Sequence, residues 1–180
     1  MTCPCDPAVA RAVTAVILDI DGVLTDGRIG YGGDANEIKF FDVRDGQGIR
    51  LLLDAGLAVG VLSGRTSTAN TVRARELGLS FAFQGEKDKM AGFERLLQQQ
   101  GIRAGQCLVV GDDLPDIPVM RRAGVAVVVA DAAPEVRQSA HWVCRAPGGR
   151  GAVREVAEWL LKAKDLWTDV LKRYGVTDNA

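Results

Sequence analysis

Short apolar runs alternate with amphipathic stretches along most of the chain. Val13–Leu18, Ala58–Leu62, Phe81–Phe83, Cys107–Val110 and Val125–Val129 are brief and rich in β-branched residues, and Gly, Asp or Ser bound them. Such runs read as buried strands. Between them, apolar residues recur at helical spacing. Ile49, Leu52 and Leu53 precede Gly56; Val72, Ala74 and Leu77 precede Gly78; Met90, Phe93, Leu96 and Leu97 precede Gly101. A glycine after the last apolar position is a helix stop, because it adopts the left-handed conformation cheaply. Strands apolar throughout and alternating with helices imply a parallel sheet covered on both faces. The expected fold is a doubly wound α/β domain over residues 13–172.

Two segments break the rhythm. Residues 28–41 read as a hairpin projecting from the sheet's C-terminal edge. Arg28–Tyr31 and Glu37–Phe41 are its arms, and Gly32-Gly33-Asp34-Ala35-Asn36 its turn. Near the end, a Gly-rich loop (Arg145–Gly151) precedes one helix from about Ala152, with a stripe of Val153, Val156, Trp159, Leu160, Leu166 and Trp167. Residues 1–12 and 173–180 are expected to lie outside the folded domain.

Composition narrows the class. The 180 residues carry a net charge of −1, with 47% hydrophobic and 25% charged residues, as in an ordinary globular domain. That balance predicts neither a nucleic-acid nor a membrane partner. Cys3, Cys5, Cys107 and Cys144 fit no disulfide framework, and no export signal stands at the N-terminus. A reducing cytoplasm is expected.

The candidate chemistry sits at strand ends. Asp19-Ile20-Asp21-Gly22-Val23-Leu24-Thr25 follows the first strand. Burying an unpaired carboxylate costs several kcal/mol, so a cation or strong donors should stand near. The plainer alternative is a turn that Asp19 caps. Gly111-Asp112-Asp113-Leu114-Pro115-Asp116 follows the fourth strand, and the topological switch brings Asp112 beside Asp19 and Asp21. An all-oxygen set favours Mg²⁺ over zinc or copper. Asp116 either caps the helix after Pro115 or, with Asp113, supports the ligands from behind. Ser63-Gly64-Arg65-Thr66 offers a hydroxyl and backbone N–H groups to a phosphoryl oxygen, or simply a helix cap. In Glu86-Lys87-Asp88-Lys89, either lysine fits a cationic role, or both belong to a solvated cluster.

In this order, the four stretches resemble the motifs of the haloacid dehalogenase superfamily. The runs Asp21–Gly27, Ser63–Arg65, Arg73–Gly78, Gly111–Met120 and Ala146–Ala152 look like its 3-deoxy-D-manno-octulosonate 8-phosphate phosphatase family. The resemblance implies a capless fold and a magnesium-dependent phosphomonoester hydrolase of lipopolysaccharide synthesis. Asp19 would be the nucleophile and Asp21 the acid and base. Mg²⁺ would sit on Asp19, the Asp21 carbonyl and Asp112. Ser63 and Lys89 would hold phosphoryl oxygens. Thr25, Gly64, Arg65, Arg73 and Arg150 are the candidates for binding a phosphorylated sugar acid, Arg150 from a neighbouring subunit. A homotetramer with hairpins at its centre is also implied. A nine-carbon keto-acid phosphate, or a catalytically silent oligomerisation domain, are the competing expectations.

Overall fold

A computed structural model describes residues 7–33 and 36–176. β1 (Ala15–Leu18) is buried along its whole length and lies at the centre of a six-stranded parallel sheet. Its neighbours are β4 (Ala58–Leu62) and β6 (Cys107–Gly111), with Leu18 opposite Val61 on one side and Val110 on the other. β5 (Phe81–Phe83) lies outside β4, while β7 (Val125–Val128) and β8 (Trp142–Val143) lie outside β6. The order β5-β4-β1-β6-β7-β8 reverses direction at β1. The carboxyl ends of β1, β4 and β6 therefore open on one crevice.

Local chemistry sets the helices. α2 (Val43–Asp54), α3 (Thr68–Leu77) and α4 (Lys89–Gln100) start at Asp42, Ser67 and Asp88, whose side chains accept from backbone N–H groups of the first turn. Gly78 and Gly101 close α3 and α4 in the left-handed conformation, as their positions predict. α5 (Ile117–Arg122) packs on α4; α7 (Ala152–Ala163) packs on α2. α6 (Pro134–Arg137) is a single turn. The largest fully buried side chains include Phe93 and Leu96 of α4, Ile49 and Leu52 of α2, and Leu160 and Leu161 of α7.

Four expectations need correction. The sequence leaves residues 7–12 outside the domain, but α1 (Pro7–Ala12) is folded and buries Ala10. Lys164 Nζ donates to the carbonyls of Arg11 (2.7 Å) and Val13 (2.8 Å), satisfying groups that the end of α1 leaves open. Cys3 and Cys5 lie outside the described residues. The hairpin is shorter than residues 28–41: only β2 (Gly30–Tyr31) pairs with β3 (Glu37–Ile38). Asp34 and Ala35 of its turn are outside the described residues. The last helix is two, because Asp165 takes φ +60° between α7 and α8 (Trp167–Arg173). In α3, Val72 is half exposed, and only Leu77 of its expected stripe is buried.

The loop before α7 lies backbone to backbone on the turn after β1. Gly149 N donates to Val23 O (2.9 Å). A Cβ on Gly148 would stand 1.7 Å from the Gly22 carbonyl oxygen, so no side chain fits there.

Candidate active site

Asp19 N donates to Val110 O (3.0 Å), extending the sheet ladder by one residue beyond β1. The chain then turns tightly. The amides of Val23, Leu24 and Thr25 all converge on Ile20 O. Thr25 is buried; its hydroxyl donates to Ile20 O and accepts from the amides of Gly22 and Gly27. Every one of these bonds serves the turn, so Thr25 ties the loop after β1 together. Gly22 has φ +94°, and a Cβ there would lie 2.1 Å from Asp112 Oδ2. Glycine is what lets the turn and Asp112 approach each other.

Lys89, the first residue of α4, is buried between two carboxylates. Its Nζ is 3.0 Å from Asp19 Oδ1 and 2.7 Å from Asp116 Oδ1. Asp116 Oδ2 accepts from the amides of Asp112 (3.0 Å) and Asp113 (3.3 Å). Asp113 Oδ1 in turn takes the Leu114 amide. Asp116 makes no side-chain cap to α5. Its carboxylate holds the lysine and the loop that carries Asp112.

Asp19, Asp112 and Asp116 each place one carboxylate oxygen within 4.8 Å of the others. Asp116 is fully engaged, whereas Asp112 Oδ1 is buried with no hydrogen-bond partner. Burial, then the charge of Asp116, raises the Asp19 carboxyl to about 6 against the pull of Lys89. Burial and the charges of Asp19 and Asp116 push Asp112 up to about 8. Carboxyls raised this far at a buried, oxygen-only cluster are those a divalent cation would discharge. The residues fit Mg²⁺ held by Asp19 and Asp112.

A carboxyl raised in the fold stabilises the protein when protonated. Stability from Asp112 is thus present at low pH and lost as pH rises from the unfolded value through about 8. The metal-free protein should melt at a lower temperature at pH 8 than at pH 5.5. Mg²⁺ should raise the melting temperature more at pH 8, where it does not compete with protons. Calorimetry with and without Mg²⁺ measures this, and equal shifts at both pH values would refute it.

A cavity of about 240 Å³ opens over this cluster, lined by Asp19, Asp21, Ser63, Gly64, Arg65, Lys87, Lys89 and Asp112 among others. Ser63 is buried after β4, and its hydroxyl accepts from Arg65 N. The Asp21 carboxylate is not part of that three-oxygen cluster and meets Lys39, whose Nζ donates to Asp21 Oδ1 (2.6 Å). Arg65 pairs with Glu37 through Nη2 and has its Nε 3.8 Å from Asp21 Oδ2. Sequence reasoning missed Lys39 and Glu37. The signal was present in Glu37-Ile38-Lys39-Phe40, where charged and apolar residues alternate with the period of a strand. Ile38 and Phe40 are exposed, whereas Glu37 and Lys39 bond Arg65 and Asp21 at the edge of the site.

Two expected substrate residues lie elsewhere in this chain. Arg73 sits over the Phe41 ring (5.6 Å to its centroid) and bonds Glu76, in a groove between the hairpin and α3. Arg150 lines a separate cavity of about 370 Å³ with Arg44, Trp142, Arg154 and Trp159.

Comparison with known proteins agrees with this fold. The family of haloacid dehalogenase-like hydrolases matches residues 78–154. The 3-deoxy-D-manno-octulosonate 8-phosphate phosphatase of Yersinia pestis is 42% identical over 162 residues, 89% of this chain and 87% of that protein. Among solved structures, a probable YrbI family phosphatase from Pseudomonas syringae superposes with a TM-score of 0.90 at 40% identity, over 93% of this chain and 96% of that one. The 3-deoxy-D-manno-octulosonate 8-phosphate phosphatase of Moraxella catarrhalis, solved with magnesium, phosphate and the free sugar acid, also gives 0.90, at 34% identity, over 93% and 97%.

Proposed function

The chain belongs to the 3-deoxy-D-manno-octulosonate 8-phosphate phosphatase family of haloacid dehalogenase-like hydrolases, and on that premise we propose that it hydrolyses this eight-carbon sugar-acid phosphate through an aspartyl-phosphate. The carrying observation is Lys89 bridging Asp19 and Asp116 beside the unsatisfied oxygen of Asp112.

In the first step, Asp19 attacks phosphorus. The bond to the sugar oxygen breaks, and Asp21 gives that oxygen a proton. In the second, water attacks the phospho-aspartate and loses a proton to Asp21. The bond to Asp19 breaks, and phosphate leaves. Lys89 and the Ser63 hydroxyl hold phosphoryl oxygens, and Asp116 keeps Lys89 aimed at them. Asp19, Asp112 and the Asp21 carbonyl would hold Mg²⁺, which would supply charge neutralisation at the phosphoryl group. Arg65 is the candidate for the substrate carboxylate, which a guanidinium fork suits. In this chain Arg65 is already paired with Glu37, so the substrate would share or displace that partner.

We further propose a homotetramer, supported by the hairpin's exposed Tyr31, Ile38 and Phe40 with Val43 beside them. Arg150 would then serve a neighbour's site. The buried free thiols of Cys107 and Cys144 suit the cytoplasm. Phosphate release with Mg²⁺ from a panel of sugar phosphates tests the substrate, with native mass spectrometry on the same sample. The eight-carbon acid should be preferred by a tetramer. Preference for a nine-carbon keto-acid phosphate would replace the substrate, no release at all would favour a silent domain, and a monomer would remove the shared site.

A further inference from the structure

Asp21 is anchored from outside its own loop. Its carboxylate is held by Lys39, which directly follows β3 of the hairpin and whose side chain is 0% exposed. A buried ammonium is costly unless it is paired. Here it has two carboxylates, Asp21 at 2.6 Å and Glu37 at 3.7 Å. Glu37 also takes Arg65 and the Ser67 hydroxyl, and Arg65 leans back toward Asp21 at 3.8 Å. Asp21, Lys39, Glu37 and Arg65 thus form a closed ring of alternating charge. It joins the turn after β1, the hairpin and the loop after β4.

The two oxygens of Asp21 are unlike. Oδ1 is clamped by Lys39, whereas Oδ2 is buried without a hydrogen-bond partner. Clamping one oxygen fixes the rotation of the carboxylate and leaves the other to exchange a proton. We propose that Lys39 is a positioning residue for the acid and base: it sets where Asp21 Oδ2 stands and does not itself touch the substrate. This rests on the phosphatase reading above. A displaced catalytic group costs about 10²-fold in rate for about 1 Å, and an unclamped Asp21 should lose on that order.

The experiment compares wild type, Lys39→Met, Asp21→Asn and the double variant on two substrates. One is a sugar phosphate, whose alkoxide needs a proton to leave. The other is p-nitrophenyl phosphate, whose phenolate leaves without one. Lys39→Met should lower kcat on the sugar phosphate about 10²-fold, with KM changed less than about threefold. On p-nitrophenyl phosphate, the first-turnover burst should persist within about threefold while later turnover slows, because only the second step still needs Asp21. In the Asp21→Asn background, Lys39→Met should have no further effect.

Raised KM with intact kcat would make Lys39 a substrate contact and overturn the proposal. So would full activity, or additive losses in the double variant. If circular dichroism shows Lys39→Met unfolded, Lys39→Gln enters the same cycle under the same criteria. A wild type that releases phosphate from neither substrate refutes the phosphatase reading instead, a result distinct from any of these.

Discussion

Replacing Asp19 by asparagine should abolish turnover, by roughly 10⁴-fold or more, while leaving the fold intact. The two side chains have the same shape, and Asp19 is nearly buried at the end of β1 with its amide in the sheet ladder. The carboxylate is also a source of strain in the metal-free protein, since it faces Asp116 and Asp112. Losing that charge removes repulsion as well as the pairing with Lys89, so metal-free stability should change little. A neutral amide oxygen cannot attack phosphorus to make a stable acyl phosphate. Phosphate release measured beside a thermal melt checks both halves. Residual activity above about a tenth of wild type would mean that another group is the nucleophile.

Lys89→Met should act on stability and rate together. Lys89 is the charged partner of both Asp19 and Asp116 within hydrogen-bonding distance. Removing one member of a buried ionic cluster typically costs about 3–5 kcal/mol, because the other charges stay buried and unpaired. For a domain of this size, that corresponds to a fall of order 10 °C in melting temperature. Burial works against the charged lysine, but the two carboxylates outweigh it and raise its pKa, so the charge persists through neutral pH. Its pairing is lost only as pH rises through that raised value, well into the alkaline range. The rate should fall about 10²–10³-fold, the usual cost of losing one fixed donor to a reacting oxyanion. Mg²⁺ should recover part of the stability by discharging Asp19, and none of the lost donor. A variant that melts like wild type without metal would contradict the bridged geometry.

The sheet was legible because its central strands β1, β4, β6 and β7 are buried almost throughout. Ala58–Leu62 and Phe81–Phe83 have the bounds that their apolar runs imply. Asp19, Asp112 and Ser63 were legible for the same reason: each follows such a run, and parallel topology brings strand ends together. Lys39 was not, since its partner Asp21 lies across a turn and a hairpin of two-residue strands. Nothing local marks a lysine as buried when its counter-charge is distant in sequence. β8 escaped notice because two residues, Trp142–Val143, carry no periodicity. The break at Asp165 was hidden because the apolar stripe runs on through Leu166 and Trp167, on the far side of the kink. Arg73 and Arg150 were drawn to the substrate by resemblance, whereas within one chain their neighbours are Phe41, Glu76 and the wall of another cavity.

The contact of Gly148 and Gly149 with the turn after β1 has a temporal consequence. During synthesis the nucleophile emerges well over a hundred residues before the backbone that braces its turn. Chains interrupted before Gly148 would own every catalytic side chain from Asp19 to Asp116 and still lack the brace. Translation would therefore yield no active intermediate, and phosphatase activity would begin only once the Gly148–Gly149 loop had closed over the turn after β1.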